Sequence, residues 1–582
     1  MKTVIGEQND VSPASTSFII DDKESSNPED VVNGFCDYFT HVGPKLAEII
    51  SAPRKTHEHY LRDSTQIRGN SLFLYPTDIV EITKIIKSLK PKRSCGHDNI
   101  SSWLLKNLNP AICIPLEILI NKSLEKGTVP CGLKLAKIIP IFKSKEPNLL
   151  KNYRPISLLP AMSKVLEKVV YKRLYNFIND HLYQSQYGFR RKYSTINAIT
   201  ELYTDIVQSL DNKYITMATF LDSSKAFDTI DHGILLNKLN YYGVRGVALD
   251  WFRSYLAERK HYIYYQNNSS KYQNILCGVP QGSVLGPLLF IIYTNDLPSC
   301  LKHTKCILFA DDTTIYASSS SLNQLYNFLN LDLDTTADWF KANKLSLNTS
   351  KTTYMIFGNN ETINYKYKLQ LGDEVIKQEN VVKFLGLFID DKLQWKAHIK
   401  HCKAKLSNSL YAIRSAKHLL SKDNLKTLYF SLVHPYLYYG TIIWGSASKS
   451  QLKHLEILQK RAIRQISKVP YNHPTLPLFK QLRILTLYDL YQVQIGLFMY
   501  KYLNKSLPVP LLNLFTLASS IHRYGTRHSQ DPFITTRKTA RISQSLVCKG
   551  PKLWHDLPHD LKESITSRSF SKMYQNLIID MY

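Results

Sequence analysis

Apolar and polar positions along this 582-residue chain change period several times, and each change marks an element. Residues 1–28 have no period; they are polar, rich in Ser, Asp and Pro, and are expected to form a disordered tail. From Glu29 to Ile50 the recurrence of Val32, Phe35, Phe39 and Val42 predicts a packing helix. A second helix is expected after Pro76, where Asp78 and Glu81 read as a capping box ahead of Ile82, Ile85, Ile86 and Leu89. It ends in a basic, glycine-containing loop, Lys90 to Asp98, suited either to a nucleic-acid backbone or to solvent. Ala136–Lys143 reads as a strand, Lys145–Asn148 as a turn and Asn152–Leu159 as the returning strand, followed by a helical stretch from Ser163 to His181.

Farther on, Thr216–Leu221 is a β-like run that ends on Asp222. Leu276–Pro287 is a Gly/Pro-punctuated loop opening an apolar helix through Ile291 and Tyr293. Ile307–Tyr316 contains two short strand-like runs with Asp311 and Asp312 between them. Burying an unpaired carboxylate is costly, so this pair is either the turn of a hairpin or a divalent-metal site. The metal reading needs a third carboxylate, and Asp222 stands where a rigid strand presents one. Beyond Gly386 the pattern turns helical and basic. Within Gln451–Ser467 an apolar stripe of Leu452, Leu455, Leu458, Ala462 and Ile466 leaves Lys453, Lys460 and Arg464 on another face, either for a duplex or for solvent.

Composition sharpens this. The length implies two to four folding units. Lys+Arg 74 against Asp+Glu 47 leaves a formal charge of +27, which points to a polyanionic partner, nucleic acid first. No apolar run is long enough to span a bilayer, and Val284–Tyr293 is interrupted by Gly286 and Pro287, so no membrane partner is expected. The first residues lack an apolar signal core, and the nine cysteines are too scattered for a disulfide framework or paired zinc ligands. An intracellular protein is expected, in nucleus or cytoplasm, without disulfides. Lys143 and Arg154 on one hairpin suit phosphate, though surface cations need no ligand. Arg190 and Arg191, among the aromatics of Gln186–Thr195, suit single-stranded nucleic acid.

Taken together, the stretches FLDSSKAFDTIDH at 220–232, GVPQGSVLGPLLFIIYTNDL at 278–297, FADD at 309–312 and LSLNTSKT at 345–352 resemble the reverse transcriptases of LINE-type (non-LTR) retrotransposons of the jockey kind, in that family's order. Asn152-Tyr153-Arg154-Pro155-Ile156-Ser157 is similar to the family's finger motif, and Lys383-Phe384-Leu385-Gly386-Leu387 to its primer grip. The segments His522–His528 and Gly550–Trp554 resemble the C-terminal region of related elements. Gly96-His97-Asp98-Asn99 departs from the family's usual Gly-Pro-Asp-Gly. Only linker-like sequence precedes the polymerase motifs, so the expectation is a chain without the family's N-terminal endonuclease.

The resemblance implies an α+β right-hand polymerase: fingers, a palm on a small antiparallel sheet, a helical thumb and a mostly helical C-terminal extension. Its expected divisions are a tail at 1–28, a helical extension with finger elements at 29–136, the fingers–palm core at 137–390, a thumb at 391–470 and the extension at 471–582. It implies RNA-directed DNA synthesis on an RNA template from a DNA primer with dNTPs. Asp222, Asp311 and the adjacent Asp312 would be catalytic and hold two Mg²⁺, with Mn²⁺ as substitute. Lys143, Arg154, Phe227, Gln281 and Gly282 would bind the dNTP, Phe227 by excluding a ribose 2′-hydroxyl. Leu385 and Gly386 would grip the primer. Lys351 would be a general acid, or else a salt-bridge partner or cap. Arg190, Arg191, Lys453, Lys460 and Arg464 would contact nucleic acid. For Asp228 and Asp231 a helix-start or structural role is expected. The alternative is an inactive nucleic-acid-binding relic of such a polymerase.

Overall fold

The computed structural model describes residues 17–62, 69–358, 368–372, 374–521, 531–534 and 543–582. His522–His528 lies outside them. The end of the expected tail is ordered: Phe18–Ile20 (β1) and Lys23–Ser25 (β2) form an antiparallel hairpin. Phe18 is the reason. Its ring lies 5.2 Å from Phe35, 5.8 Å from Tyr153 and 5.9 Å from Tyr265, an apolar anchor that the polar average of the segment conceals. Helix α1 spans Pro28–Glu48; the Asn27 side chain accepts from the backbone N–H of Glu29, and Pro28 occupies the first turn.

Leu135–Phe142 (β3) and Tyr153–Leu158 (β4) form the expected hairpin, which sets Arg154 opposite Ile141. Helix α2, Ala161–Ile178, starts before Ser163 because Pro160 presets the cap, and it closes in a 3₁₀ turn at Asn179–His181. Helix α3 is Thr195–Asp211, strand β5 is Ile215–Leu221 and helix α4 is His232–Tyr241. Strand β6, Lys260–Tyr265, runs parallel to β3 in the same sheet, beside α1. Then follow α5 (Gly286–Tyr293), β7 (Lys305–Phe309), β8 (Asp312–Ser319), α6 (Leu322–Ala342), β9 (Thr353–Phe357) and β10 (Lys377–Gln378).

The central sheet has the order β10-β9-β5-β8-β7, with β5 in the middle. Side chains alternate across a strand. Met217 and Leu221 therefore enter a core with α2, α5 and α6, whereas Ala218 enters the opposite core with α3. Both faces are covered, so an ionisable group on this strand can stand only at its open end. Helix α5 is apolar all round because neighbours enclose it on every side.

Val381–Phe384 (β11) and Leu387–Asp390 (β12) form a second hairpin whose turn residues Leu385 and Gly386 have φ of 43° and 91°. The described residues after this hairpin are mainly helical, including α7 (Lys396–Ala416), α8 (Lys449–Ser467), α9 (Leu487–Leu503) and α10 (Ser567–Asp580). A single hydrophobic cluster joins Ile399 and Leu406 of α7, Leu455 and Ile463 of α8, Leu490 and Met499 of α9, and Phe570 and Ile578 of α10. Residues before and after position 470 thus share one core, and the same cluster reaches Ala218 in the sheet. The architecture is α+β. None of the nine cysteines is in a disulfide, and no helix among the described residues is long and apolar enough to cross a membrane.

Candidate active site

The register of β5 and β8 pairs Thr313 with Leu221, which brings Asp222 beside Asp312 at the same edge. Strands β7 and β8 are joined by a two-residue turn, Ala310-Asp311, closed by Phe309 opposite Asp312. Ala310 takes φ 55°, a left-handed conformation that the surroundings must hold. They do so through Gln186, whose Oε1 accepts from the N–H groups of Gly188 (2.8 Å) and Ala310 (3.3 Å). Tyr187 donates its N–H to the Leu308 carbonyl at 2.7 Å, and Leu308 returns one to Ser185 at 2.9 Å. On the other side the Asp222 carbonyl accepts from the N–H of Asn348 at 2.8 Å, laying residues 345–352 along the loop after β5. From there Lys351 Nζ reaches Asp222 Oδ2 at 3.1 Å.

These groups act on one another. Crowding by the surrounding loops raises the pKa of Asp311, and the Asp222 charge raises it further, while Arg154 and Lys143 pull it down. Asp312 is pushed up to about 6 by the same crowding and by repulsion from Asp311 and Asp222. Lys143 is pushed down by partial burial and then by Arg154 and Lys351, against the pull of Asp222 and Asp311. Carboxylates from a strand end and a turn, and cations from the β3–β4 hairpin and the 345–352 segment, form one mutually sensing patch. Among the described residues no three His, Cys, Asp or Glu side chains are gathered closely enough to hold an ion unaided. The donor chemistry nevertheless suits Mg²⁺: these are hard oxygens that repel one another when bare, and Mg²⁺ takes such ligands while keeping several waters.

Phe227 stands five residues after Asp222 in the same loop, its ring stacked on Phe290 (4.6 Å) and edge-on to Phe189 (6.1 Å). Gln281 bridges two elements: its carbonyl accepts from Ser157 N–H at the end of β4, and its Nε2 donates to Asp228 Oδ1, both at 2.8 Å. Gly282 has φ 120°, and a Cβ there would lie 2.7 Å from the Ser157 carbonyl. The Tyr439 hydroxyl donates to the Leu385 carbonyl, fixing the β11–β12 turn.

Several expected residues fall elsewhere. Arg190 is turned inward: it donates to the carbonyls of Tyr183 (2.7 Å) and Asn179 (3.4 Å) and lies 4.2 Å from the Tyr193 ring, so it braces its loop rather than meeting a ligand. Arg191 is exposed beside Tyr175. Lys460 pairs with Glu456, and Arg464 donates to the His473 carbonyl at 2.8 Å. Both still line a basic cleft of about 730 Å³ with Arg414, Lys417, Arg461 and Tyr471; Lys453 is exposed outside it. Asp231 caps α4 as expected, accepting from Ile234 N–H at 3.0 Å. Asp228 does not start a helix; it faces Gln281. Trp554 is buried and donates to Asp531 at 3.0 Å, a packing role. Gln186 and Lys225 went unassigned in the sequence because neither carries a local period, and Asp228, expected in a helix-start or structural role, was not tied to Gln281; all three lie inside motif-bearing stretches.

Residues 142–389 match the family described as reverse transcriptase (RNA-dependent DNA polymerase). The chain is 30% identical over 466 residues to the probable RNA-directed DNA polymerase from transposon BS of Drosophila melanogaster, covering 77% of this chain and 50% of that protein. It is 28% identical over 446 residues to the RNA-directed DNA polymerase from mobile element jockey of the same fly, covering 74% of this chain and 48% of the relative. For the probable RNA-directed DNA polymerase from transposon X-element, also of that fly, the identity is 27% over 432 residues, covering 71% of this chain and 46% of the relative. The chain spans about half the length of the curated relatives it matches.

Proposed function

Residues 142–389 are a reverse transcriptase domain, and from that premise we propose that the chain is an RNA-directed DNA polymerase adding dNTPs to a primer 3′ end on an RNA template. In this reading the central sheet is the palm, β3 and β4 belong to the fingers, and α7 and α8 form the thumb. The observation that carries it is the shared patch of Asp222, Asp311 and Asp312 with Lys143, Arg154 and Lys351, drawn from distant segments. Asp222 and Asp311, assisted by Asp312, would hold two Mg²⁺ or Mn²⁺ ions, which supply charge neutralisation at the attacking and leaving oxygens.

The chain's own groups do the rest. Arg154 and Lys143 grip the triphosphate from the finger hairpin. Phe227, backed by Phe290, closes the space a ribose 2′-hydroxyl needs. Gln281 and Gly282 line the nucleotide and template side. Lys351, paired with Asp222 before substrate binds, gives a proton to the departing pyrophosphate. Leu385 and Gly386, held by Tyr439, support the primer end. Arg191, Lys453, Lys460 and Arg464 meet nucleic-acid phosphates.

The test is primer extension by the purified chain with an RNA template, DNA primer, Mg²⁺ and dNTPs. The wild type should extend and Asp311→Asn should fall to background. A wild type indistinguishable from that variant would instead identify an inactive nucleic-acid-binding relic.

A further inference from the structure

A buried carboxyl group behind the nucleotide side has no role in the scheme above. Asp228 as a whole is partly exposed, but its Oδ2 is sealed from solvent and has no hydrogen-bond partner. Its Oδ1 accepts from Gln281 Nε2 at 2.8 Å, the one side-chain hydrogen bond that Gln281 makes among the described residues. The backbone that carries this carboxyl is closely packed. Helix α1 brings Gly43 so near that a Cβ there would lie 2.5 Å from the Asp228 backbone carbonyl oxygen and would also strike Cys277 Sγ. The loop before Gln281 is stapled to the loop carrying Asp228: Gly278 N–H donates to the Ile230 carbonyl at 2.8 Å and Val279 N–H to the Phe227 carbonyl at 2.9 Å.

A half-satisfied buried carboxyl group is unfavourable for the fold. An ionised carboxylate, however, is an acceptor only, and it does something a neutral amide cannot. It forces the NH₂ end of Gln281 inward and turns the carbonyl oxygen of that amide outward. An Asn in its place could satisfy either orientation, because it offers both a donor and an acceptor.

We propose that Asp228 is a positioning residue for nucleotide selection: it locks the orientation of the Gln281 amide, and through it the grip on the incoming dNTP, without touching the nucleotide. This rests on the reading that Gln281 faces the nucleotide. Residues 28–48, the packing helix, thereby belong to the nucleotide site at one remove, since Gly43 of α1 packs on the Asp228 backbone.

The experiment is a double-mutant cycle on the full chain with Asp228→Asn, Gln281→Ala and both together, in primer extension on a pre-annealed RNA–DNA substrate. Asp228→Asn should raise KM for dNTP by about 5- to 10-fold with a smaller change in kcat, and should not lower the melting temperature. In the Gln281→Ala background the same change should add less than about twofold, because coupled residues are non-additive. Effects that multiply would overturn the proposal, as would a loss of melting temperature and kcat at unchanged KM, which marks a merely structural residue. The cycle is read a second way, as the dNTP-induced rise in melting temperature of a complex with a chain-terminated primer. An inactive wild type would defeat the polymerase reading, while this second readout still decides whether 228 and 281 are coupled.

Discussion

Replacing Asp228 by Asn should make the chain more stable relative to wild type as pH rises, and the size of the effect follows from the burial of one carboxyl. Burial raises the Asp228 pKa from the ordinary 3.8 to about 6, against the lowering pull of Gln281 and Lys225. An acid whose folded pKa lies above its unfolded one binds its proton more tightly when folded. Folding therefore takes up a proton between those values, and stability falls as pH rises through the window. The shift is about two units at 1.36 kcal/mol each, a ceiling of about 3 kcal/mol; since solvent reaches part of the residue, about 1–3 kcal/mol is expected. Asn does not titrate and escapes the loss. Three neighbours respond to the substitution: Cys277, pushed up to about 11, and Tyr38, pushed up to about 12, are held there by burial and then by the Asp228 charge, and both titrate above the assay range, while Lys225 is pushed down by burial against the pull of Asp228. His232, pushed down by burial, and Asp231, lowered by Lys344 and the helix N–H groups despite its burial, are common to both proteins. The assay is urea unfolding of both proteins at matched ionic strength from about pH 4 to 7.5, following the difference in midpoint. A difference that stays flat with pH, or one in which wild type gains on the variant, would refute the claim that this carboxyl is buried against its own ionisation.

Phe227→Ala should open the space beside Phe290 and lower discrimination against ribonucleotides by about tenfold or more in single-nucleotide incorporation; unchanged sugar selection would remove the ring from that role. Lys238 and Asp296, both with fully buried side chains, pair at 2.6 Å while Trp339 donates to the second Asp296 oxygen. Lys238→Met should cost about 3–5 kcal/mol in unfolding experiments, and adding Asp296→Leu should restore most of it, because the penalty comes from the stranded charge. Gly282→Ala places a Cβ against the Ser157 carbonyl at a left-handed φ, so it should raise KM for dNTP more than it lowers the melting temperature. A fully active variant would show that the loop moves freely away from β4.

Much of the site was legible because its chemistry is carried by short contiguous runs. Phe309-Ala310-Asp311-Asp312 announces a charged turn between apolar strands, and Asp222 announces itself as the carboxylate ending a β-like run. Periodicity placed α1, β3, β4 and α8 within a few residues, since each has one face packed and one exposed. It failed for β1, where a single buried Phe18 outweighs a polar neighbourhood, and for Arg190, whose cationic character says nothing about which carbonyls it meets.

Amino-acid order alone determined the helical and strand periods, the +27 charge, and which carboxylates and cations stand at element ends. These are local quantities, readable within a few residues. Tertiary structure decided the rest: that residues near 143, 154, 222, 311 and 351 share one electrostatic patch, that Gln186 props the Asp311 turn, and that α1 closes over Asp228. Those relations depend on strand register and on how two faces of one sheet are covered. They are contacts between segments separated by tens to well over a hundred positions, which no short window along the chain contains.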